Sequence, residues 1–348
     1  MSDCIIICPN KSISPVLENM IKAVCENGEF TIIKKFNSKF NFTNKKIVFA
    51  VQLNALGFDI PMLNFMEKID KYDNNAFLNS KGAVIIQSPN ELNTKRVSQD
   101  LIYMANNLGC TFMGHPIVEA TGSLNNFKTW QKILNELSLN EICHEMCKRL
   151  GKRLILFTTI KIKPKILVLY STPHKKSNTL DFWNMIKKHL PGYDIKEIEL
   201  EHGKIYDCKG CKYEYCIHFG ERNSCFYGGV VVDEVLPSIE ESNIIVWLCP
   251  NYNDAISANL TATINRLTVL YRKITFHNKK IFAIAVSGNS GSDSVLKQLL
   301  GALNINKGFI LPPRFSINAT ANDPNAISTI PNIEEIAKKF GDHIKLQI

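Results

Sequence analysis

The sequence predicts an α/β protein of two domains, each a doubly wound parallel sheet with helices on its faces. Three observations carry that expectation. Short β-branched runs alternate with amphipathic stretches along the chain, the pattern of βαβ units. A length of 348 residues is generous for one domain and ordinary for two. The layout of the second half also repeats that of the first.

In the first half, Cys4–Cys8 (CIIIC) starts a strand and Val16–Cys25 follows as a helix. Lys46–Val51 (KIVFAV), Gly82–Gln87 (GAVIIQ) and Thr111–His115 supply the later strands. Helical Ser138–Leu150 and strand-like Arg153–Lys163 connect the halves, and Pro164 marks the boundary. The domains are then residues 1–160 and 161–348. The strands of the second are Lys165–Tyr170 (KILVLY), Asp194–Leu200 (DIKEIEL), Asn243–Leu248 (NIIVWL), Lys280–Val286 (KIFAIAV) and Gly308–Leu311 (GFIL). Helices are expected at Asn178–Leu190, Val231–Glu241, Ser257–Tyr271 and Ser292–Leu303. A last helix follows Pro331, with apolar residues spaced at Ile333, Ile336, Ala337 and Phe340.

Pairing Ile5 with Ile166, Ile47 with Ile244 and Val84 with Ile281 aligns the halves. The offset is longer for the later pairs, which places a large insertion after the first helix of the second half. That insertion contains a cysteine-rich loop at about residues 204–229. The halves read as a duplication in which one copy carries the extra loop.

Hydrophobic residues make up 45% of the chain and charged residues 21%, so both halves should bury a core. No stretch approaches the roughly 18 unbroken apolar residues of a membrane helix. The N-terminus lacks a basic n-region and runs straight into a strand, so the expected location is cytoplasmic. In that setting the 11 cysteines read as reduced thiols or metal ligands rather than disulfides. The net charge of +9 comes from dispersed lysines, which favours anionic ligands or an acidic partner. It forms no clustered basic face, and nucleic-acid binding is not expected.

Three loops of the second half fall at the carboxyl ends of strands, where open α/β sheets bind ligands. The first, Ser171-Thr172-Pro173-His174-Lys175-Lys176-Ser177-Asn178-Thr179, opens a helix with small hydroxyl and amide residues. Its amides and the helix dipole suit a phosphate, although a plain N-capped turn reads the same way in isolation. The second is Pro250-Asn251-Tyr252-Asn253-Asp254 and the third Ser287-Gly288-Asn289-Ser290-Gly291. With strand order 2-1-3-4-5 the first and third strands are neighbours. A phosphate on the first loop then directs a flavin ring toward Tyr252, and glycines at 288 and 291 let backbone approach the ring edge.

These three segments resemble the NAD(P)H-dependent FMN reductases of the flavodoxin superfamily, over roughly Lys165 to Ile317. The resemblance implies a flavodoxin-like fold, noncovalent FMN, NAD(P)H as co-substrate, a homo-oligomer, and electron transfer to a small acceptor or redox protein. It assigns phosphate binding to Ser171, Ser177, Asn178 and Thr179, with His174 and Lys175 in the same loop. Pro250, Asn251, Tyr252, Asn253 and Asp254 would line the ring, with Ser287, Gly288, Asn289 and Gly291 at its edge. No residue is assigned as a general acid or base, because hydride transfer to flavin needs stacking and orientation above all.

Cys208, Cys211, Cys216 and Cys225 follow the spacing C-x2-C-x4-C-x8-C. Four thiolates this close suit a tetrahedral metal or a cubane cluster. The insertion resembles that of the iron–sulfur flavoproteins, which implies a 4Fe–4S cluster, although its gaps are wider and Asp233-Glu234 follows an inserted Gly228-Gly229. Zinc, or free and redox-active thiols, are the competing readings. Lys204, Lys209 and Lys212 nearby would raise a cluster's potential or dock an acidic carrier such as a ferredoxin.

The remaining cysteines, including Cys143 and Cys147, read as packing. In the first half Pro9-Asn10-Lys11-Ser12, the segment Gln52 to Phe58, and Ser88-Pro89-Asn90-Glu91 replace the three loops. That half is expected to be degenerate and without flavin. Three functions compete: an FMN oxidoreductase with a cluster, a plain NAD(P)H:FMN or quinone reductase with zinc or free thiols, and a non-catalytic flavin-binding sensor or scaffold.

Overall fold

A computed structural model describes residues 3–158, 164–172, 177–201, 205–222 and 224–347. The chain divides into two compact units, Met1–Thr158 and Thr159–Ile348.

In the first unit β1 (Cys4–Ile7), α1 (Pro15–Cys25), β2 (Thr31–Ile33), β3 (Lys46–Gln52), α2 (Ile60–Tyr72), β4 (Lys81–Gln87), α3 (Thr94–Asn107) and β5 (Thr111–Ala120) alternate. A short α4 (Lys128–Gln131) and the longer α5 (Leu139–Leu156) close it. All strand pairings are parallel, in the order β2-β1-β3-β4-β5. The central strands are buried along nearly their whole length, as expected for a sheet covered on both faces. β5 runs beyond the expected His115 because it accommodates a bulge there, with His115 at φ +50, and then pairs on to Ala120.

The second unit contains β6 (Lys165–Tyr170), α6 (Asn178–Lys187), β7 (Asp194–Glu199), α7 (Tyr213–Gly220), α8 (Leu236–Glu241), β8 (Ile244–Pro250), α9 (Ala258–Arg266), α10 (Thr268–Tyr271), β9 (Lys280–Ser287), α11 (Ser292–Leu300), β10 (Ser316–Thr320) and α12 (Ile333–Leu346). π-helical turns at Val231–Val235 and Gly301–Ile305 precede α8 and follow α11. Its parallel sheet has the order β7-β6-β8-β9-β10, the same topology as the first. Both units are flavodoxin-like α/β folds. The insertion sits between β7 and β8, where residues 200–243 stand in place of residues 34–45 of the first unit. Among the described residues no helix is long and apolar enough to cross a membrane.

The structure corrects three expectations. Gly308–Leu311 is not the fifth strand. Phe309 and Leu311 are fully buried, with Phe309 stacked on Phe276 at 4.3 Å, and Ile310 makes only an isolated bridge to Lys280. The edge strand is the more polar Ser316–Thr320, paired with Ala283–Ser287 of β9. Arg153–Leu156 is the last turn of α5 rather than strand, because Leu154 continues that helix's buried stripe and Arg153 donates to the carbonyls of Gly114 and His115. Phe157 and Thr158 follow without regular structure, and residues 159–163 of that expected strand lie outside the described residues. Finally, Ile47 pairs with Gly82 while Ile244 pairs with Lys280, so Val84 corresponds to Phe282 and not Ile281.

Candidate functional site

At the carboxyl ends of β6, β8, β9 and β10 the second unit forms a cleft of about 590 Å³, within the range of small-ligand sites. Thr172, Ser177, Asn178 and Thr179 contribute from the first loop and the start of α6. Ser177 takes the N-cap position of α6, its Oγ accepting from the Leu180 amide at 3.4 Å. The helix therefore presents its positive end to the cleft. Ser171 lies at the end of β6, buried to 2% exposure, and its hydroxyl has no hydrogen-bond partner among the described residues. A buried polar atom left unpaired is costly, and here it sits beside the loop expected to hold an anion. His174 and Lys175, assigned to the same loop, lie outside the described residues.

Pro250, Asn251 and Tyr252 form the opposite wall. Asn253 and Asp254 turn the chain with φ of +54 and +56, which Asn and Asp tolerate better than other side chains. The Asn251 amide donates to Asp254 Oδ1 (3.0 Å) and the Ser290 carbonyl (3.1 Å), and its Oδ1 accepts from the Asp254 amide (2.8 Å). Asn251 thus staples the second loop to the third. Tyr252 keeps 46% of its surface exposed, leaving its ring available for stacking, while partial burial pushes its phenol above the usual range.

In the third loop Gly288 lines the cleft, and Val286 stands just before it. Ser287 is buried and its hydroxyl pairs with that of Ser292 at 2.8 Å. The Asn289 carbonyl accepts from Ser287 and Thr320, and its side chain accepts from the Ser290 amide. Gly291 has φ +89, and a Cβ there would come within 1.7 Å of Asp254 Oδ1. The absent side chain therefore serves the contact between two loops.

A fourth loop went unforeseen. Ala321, Asn322 and Pro324, directly after β10, also line the cleft. Asn178 ties this loop to α6, its amide donating to the Ala321 (3.2 Å) and Asp323 (2.9 Å) carbonyls while Oδ1 accepts from the Ile327 amide (3.3 Å). The Asn178 side chain is thereby committed to the protein, and what it offers a phosphate is its backbone N–H. The Asn-Asp-Pro run was a readable turn signal, but with β10 misplaced nothing put it on the ligand edge.

The four insertion cysteines line a second cavity, of about 340 Å³, with Phe219, Phe226 and Tyr227 among its walls. Cys208 and Cys211 are exposed, and Cys216 and Cys225 half-buried. The Tyr227 hydroxyl is hydrogen-bonded to Cys211. That bond raises the phenol above its usual range, and burial and the neighbouring Cys211, Cys225 and Cys208 add to the effect. Burial pulls the Lys307 ammonium down, and Cys208 opposes that shift. Among the described residues, no three cysteine, histidine or acidic side chains come together as a ready metal cage. The donor set nevertheless has the chemistry of a thiolate-ligated centre, since all four cysteines line one cavity and a buried guanidinium, Arg266, lines it as well.

The first unit gives the matching edge a different content. Asp59, the N-cap of α2, is 3% exposed and accepts from the Met62 amide (3.0 Å), the Gln52 amide (2.8 Å) and Asn10 Nδ2 (2.9 and 3.1 Å). Burial pushes its carboxyl above the usual range against those hydrogen bonds. Gln52 in turn accepts from the Ser14 amide at 2.5 Å, and Glu91 accepts from the Ser123 amide at 2.8 Å. The Cys143 and Cys147 thiols are buried on α5, hydrogen-bonded to each other within the core.

Residues 164–322 match the family model of NADPH-dependent FMN reductase. The match covers most of the second unit and just under half of the chain, and it supports a flavin-dependent NAD(P)H oxidoreductase. Solved structures similar to the chain include an NAD(P)H:quinone oxidoreductase from Methanothermobacter marburgensis, at 13% identity and TM-score 0.40, covering 52% of this chain and 97% of that one. An azoreductase from Bacillus anthracis str. Sterne is similar at 12% identity and TM-score 0.39, covering 52% and 97%. The Trp repressor binding protein from Bacillus subtilis is similar at 16% and 0.34, covering 50% and 98%. No curated protein matches the chain.

Proposed function

We propose that the second unit binds FMN in the 590 Å³ cleft and passes electrons from NAD(P)H to a small acceptor or redox protein through a 4Fe–4S cluster held by Cys208, Cys211, Cys216 and Cys225. The observation that carries the flavin part is the convergence of four loops on one cleft next to the unpaired hydroxyl of buried Ser171. The phosphate would lie on the backbone amides of residues 177–179 at the N-terminus of α6. Pro250, Asn251 and Tyr252 would hold the ring, with Gly288 and Asn322 across the cleft. Bound there, FMN supplies two-electron chemistry with nicotinamide and one-electron chemistry with a cluster. The protein's own part is orientation and exclusion of water, through loops already stapled by Asn251 and Asn178.

The proposal includes a reducing, cytoplasmic setting, a homo-oligomer, and a first unit without flavin. The absence of a preassembled metal cage among the described residues favours a second reading, a plain NAD(P)H:FMN or quinone reductase with free thiols. Protein purified without oxygen separates them. One FMN per chain, four irons and broad absorbance near 400 nm support the first reading. Flavin bands without iron leave the second, and no flavin with no NAD(P)H-dependent reduction of an added quinone defeats both.

A further inference from the structure

We propose that Arg266 is the internal countercharge of the four-cysteine cavity, a positioning residue that holds the cysteine loop and raises the potential of the centre the thiolates bind. The inference rests on the cluster reading above and deepens it. Arg266 ends α9 and is 3% exposed. Its Nη2 donates to the Gly228 carbonyl at 2.8 Å, and its Nε has no partner among the described residues. No carboxylate within 4.0 Å of it is found among the described residues. The other buried lysine or arginine of this unit, Lys279, is differently placed: its Nζ donates to the Glu240 and Ser242 carbonyls, both at 2.8 Å. A guanidinium taken out of water without an anion is strongly disfavoured, so a site built this way is built for negative charge.

The negative charge available in that cavity is on sulfur. Asp207, the acidic residue next to the first cysteine, already accepts from Asn265 Nδ2 at 2.9 Å and from the Cys208 amide. Four thiolates around a cubane make a centre with net negative charge, and one-electron reduction makes it more negative. A fixed cation in the same low-dielectric cavity stabilises the reduced form, with no proton moved and no bond made to Arg266. The Gly228 contact adds a mechanical role. Gly228 has φ +47 and its amide donates to the Cys225 carbonyl, while the neighbouring Tyr227 bonds Cys211. Arg266 therefore grips the turn between the last cysteine and the helix that follows, which gives the inserted Gly228-Gly229 pair a purpose.

The test uses the full chain, purified anaerobically and reconstituted with iron and sulfide, as wild type, R266K, R266M and the cavity-rim control K209M. The readouts are iron per chain, FMN per chain, and the midpoint potential from a dithionite titration followed by electron paramagnetic resonance. In R266M the reduction equilibrium should shift about tenfold toward the oxidised form, which is about 59 mV lower for one electron. R266K should stay within about twofold of wild type, and K209M, solvated, should shift less than R266M. Unchanged potential and iron in R266M overturn the inference, as does an equal shift in K209M. If R266M loses iron and FMN together while R266K keeps the wild-type potential, the charge requirement stands; if R266K loses both as well, it falls. Wild type without iron instead sinks the cluster reading itself, and the inference with it.

Discussion

The two units place the same topology around opposite solutions at their carboxyl edges. In the first, the N-cap of α2 is Asp59, and its carboxylate collects four hydrogen bonds from Met62, Gln52 and Asn10. In the second, the N-cap of α9 is Ser257, buried and, among the described residues, with its hydroxyl unpaired, as is that of Ser171 at the end of β6. One edge carries its own anion. The other holds donors with nothing to bind, which is how a ligand site looks from the protein's side. The comparison teaches that one acidic side chain placed at a helix start can satisfy donors at an edge where the second unit leaves buried hydroxyls unpaired.

Three measurements press on that contrast. The largest effect is expected for Asp59→Ala, which leaves the Asn10, Gln52 and Met62 donors unpaired and uncaps α2. It should lower the first unit's stability by about 2–4 kcal/mol. Urea unfolding with and without FMN assigns the transitions, since ligand stabilises only the unit that binds it. An unchanged FMN affinity is expected, and a large loss would show that the edges are not independent. Next comes Ser171→Ala. FMN affinity should drop about tenfold, roughly 1.4 kcal/mol, while the apo form is as stable or slightly more so, because a buried unpaired hydroxyl has gone. Loss of apo stability with unchanged affinity would break the comparison.

The smallest effect is a pH dependence. Burial raises the Asp59 carboxyl above its unfolded value, so the folded state holds that proton more tightly than the unfolded chain. Its contribution is fully present below the ordinary aspartate range and is lost as pH rises through the raised folded value. The stability of wild type relative to Asp59→Asn should therefore fall as pH rises above the ordinary aspartate range, followed by denaturation midpoints of the two side by side. A difference that grows with pH would reverse the sign and the assignment.

Much of this was legible. The buried strands announce themselves as unbroken β-branched runs because both faces are covered, as in Ile244–Leu248. The first-loop, second-loop and third-loop residues fall at strand ends, and Ser177, Asn178, Thr179, Pro250, Asn251, Tyr252 and Gly288 reach one cleft. Edge strands were harder. Ser316–Thr320 is largely uncovered, so its sequence lacks an apolar run, and the buried GFIL stretch was the more persuasive candidate. Missing that strand meant missing Asn322 and Pro324. The roles of Asn178 and Asn251 as staples were also hidden, since nothing in a sequence says which amide is spent on a neighbouring loop.

The connection from β7 to β8 runs through residues 200–243, where the first unit needs only residues 34–45. Closing a longer loop costs chain entropy that grows only with the logarithm of its length, about 0.6 kcal/mol for each doubling. Two doublings amount to roughly 1 kcal/mol, less than one well-buried leucine returns. A cysteine-bearing segment can thus be added to, or removed from, this crossover with almost no thermodynamic consequence for the sheet beneath it. The crossover is a place where such a fold can acquire an extra segment while the carboxyl edge of its sheet stays as it was.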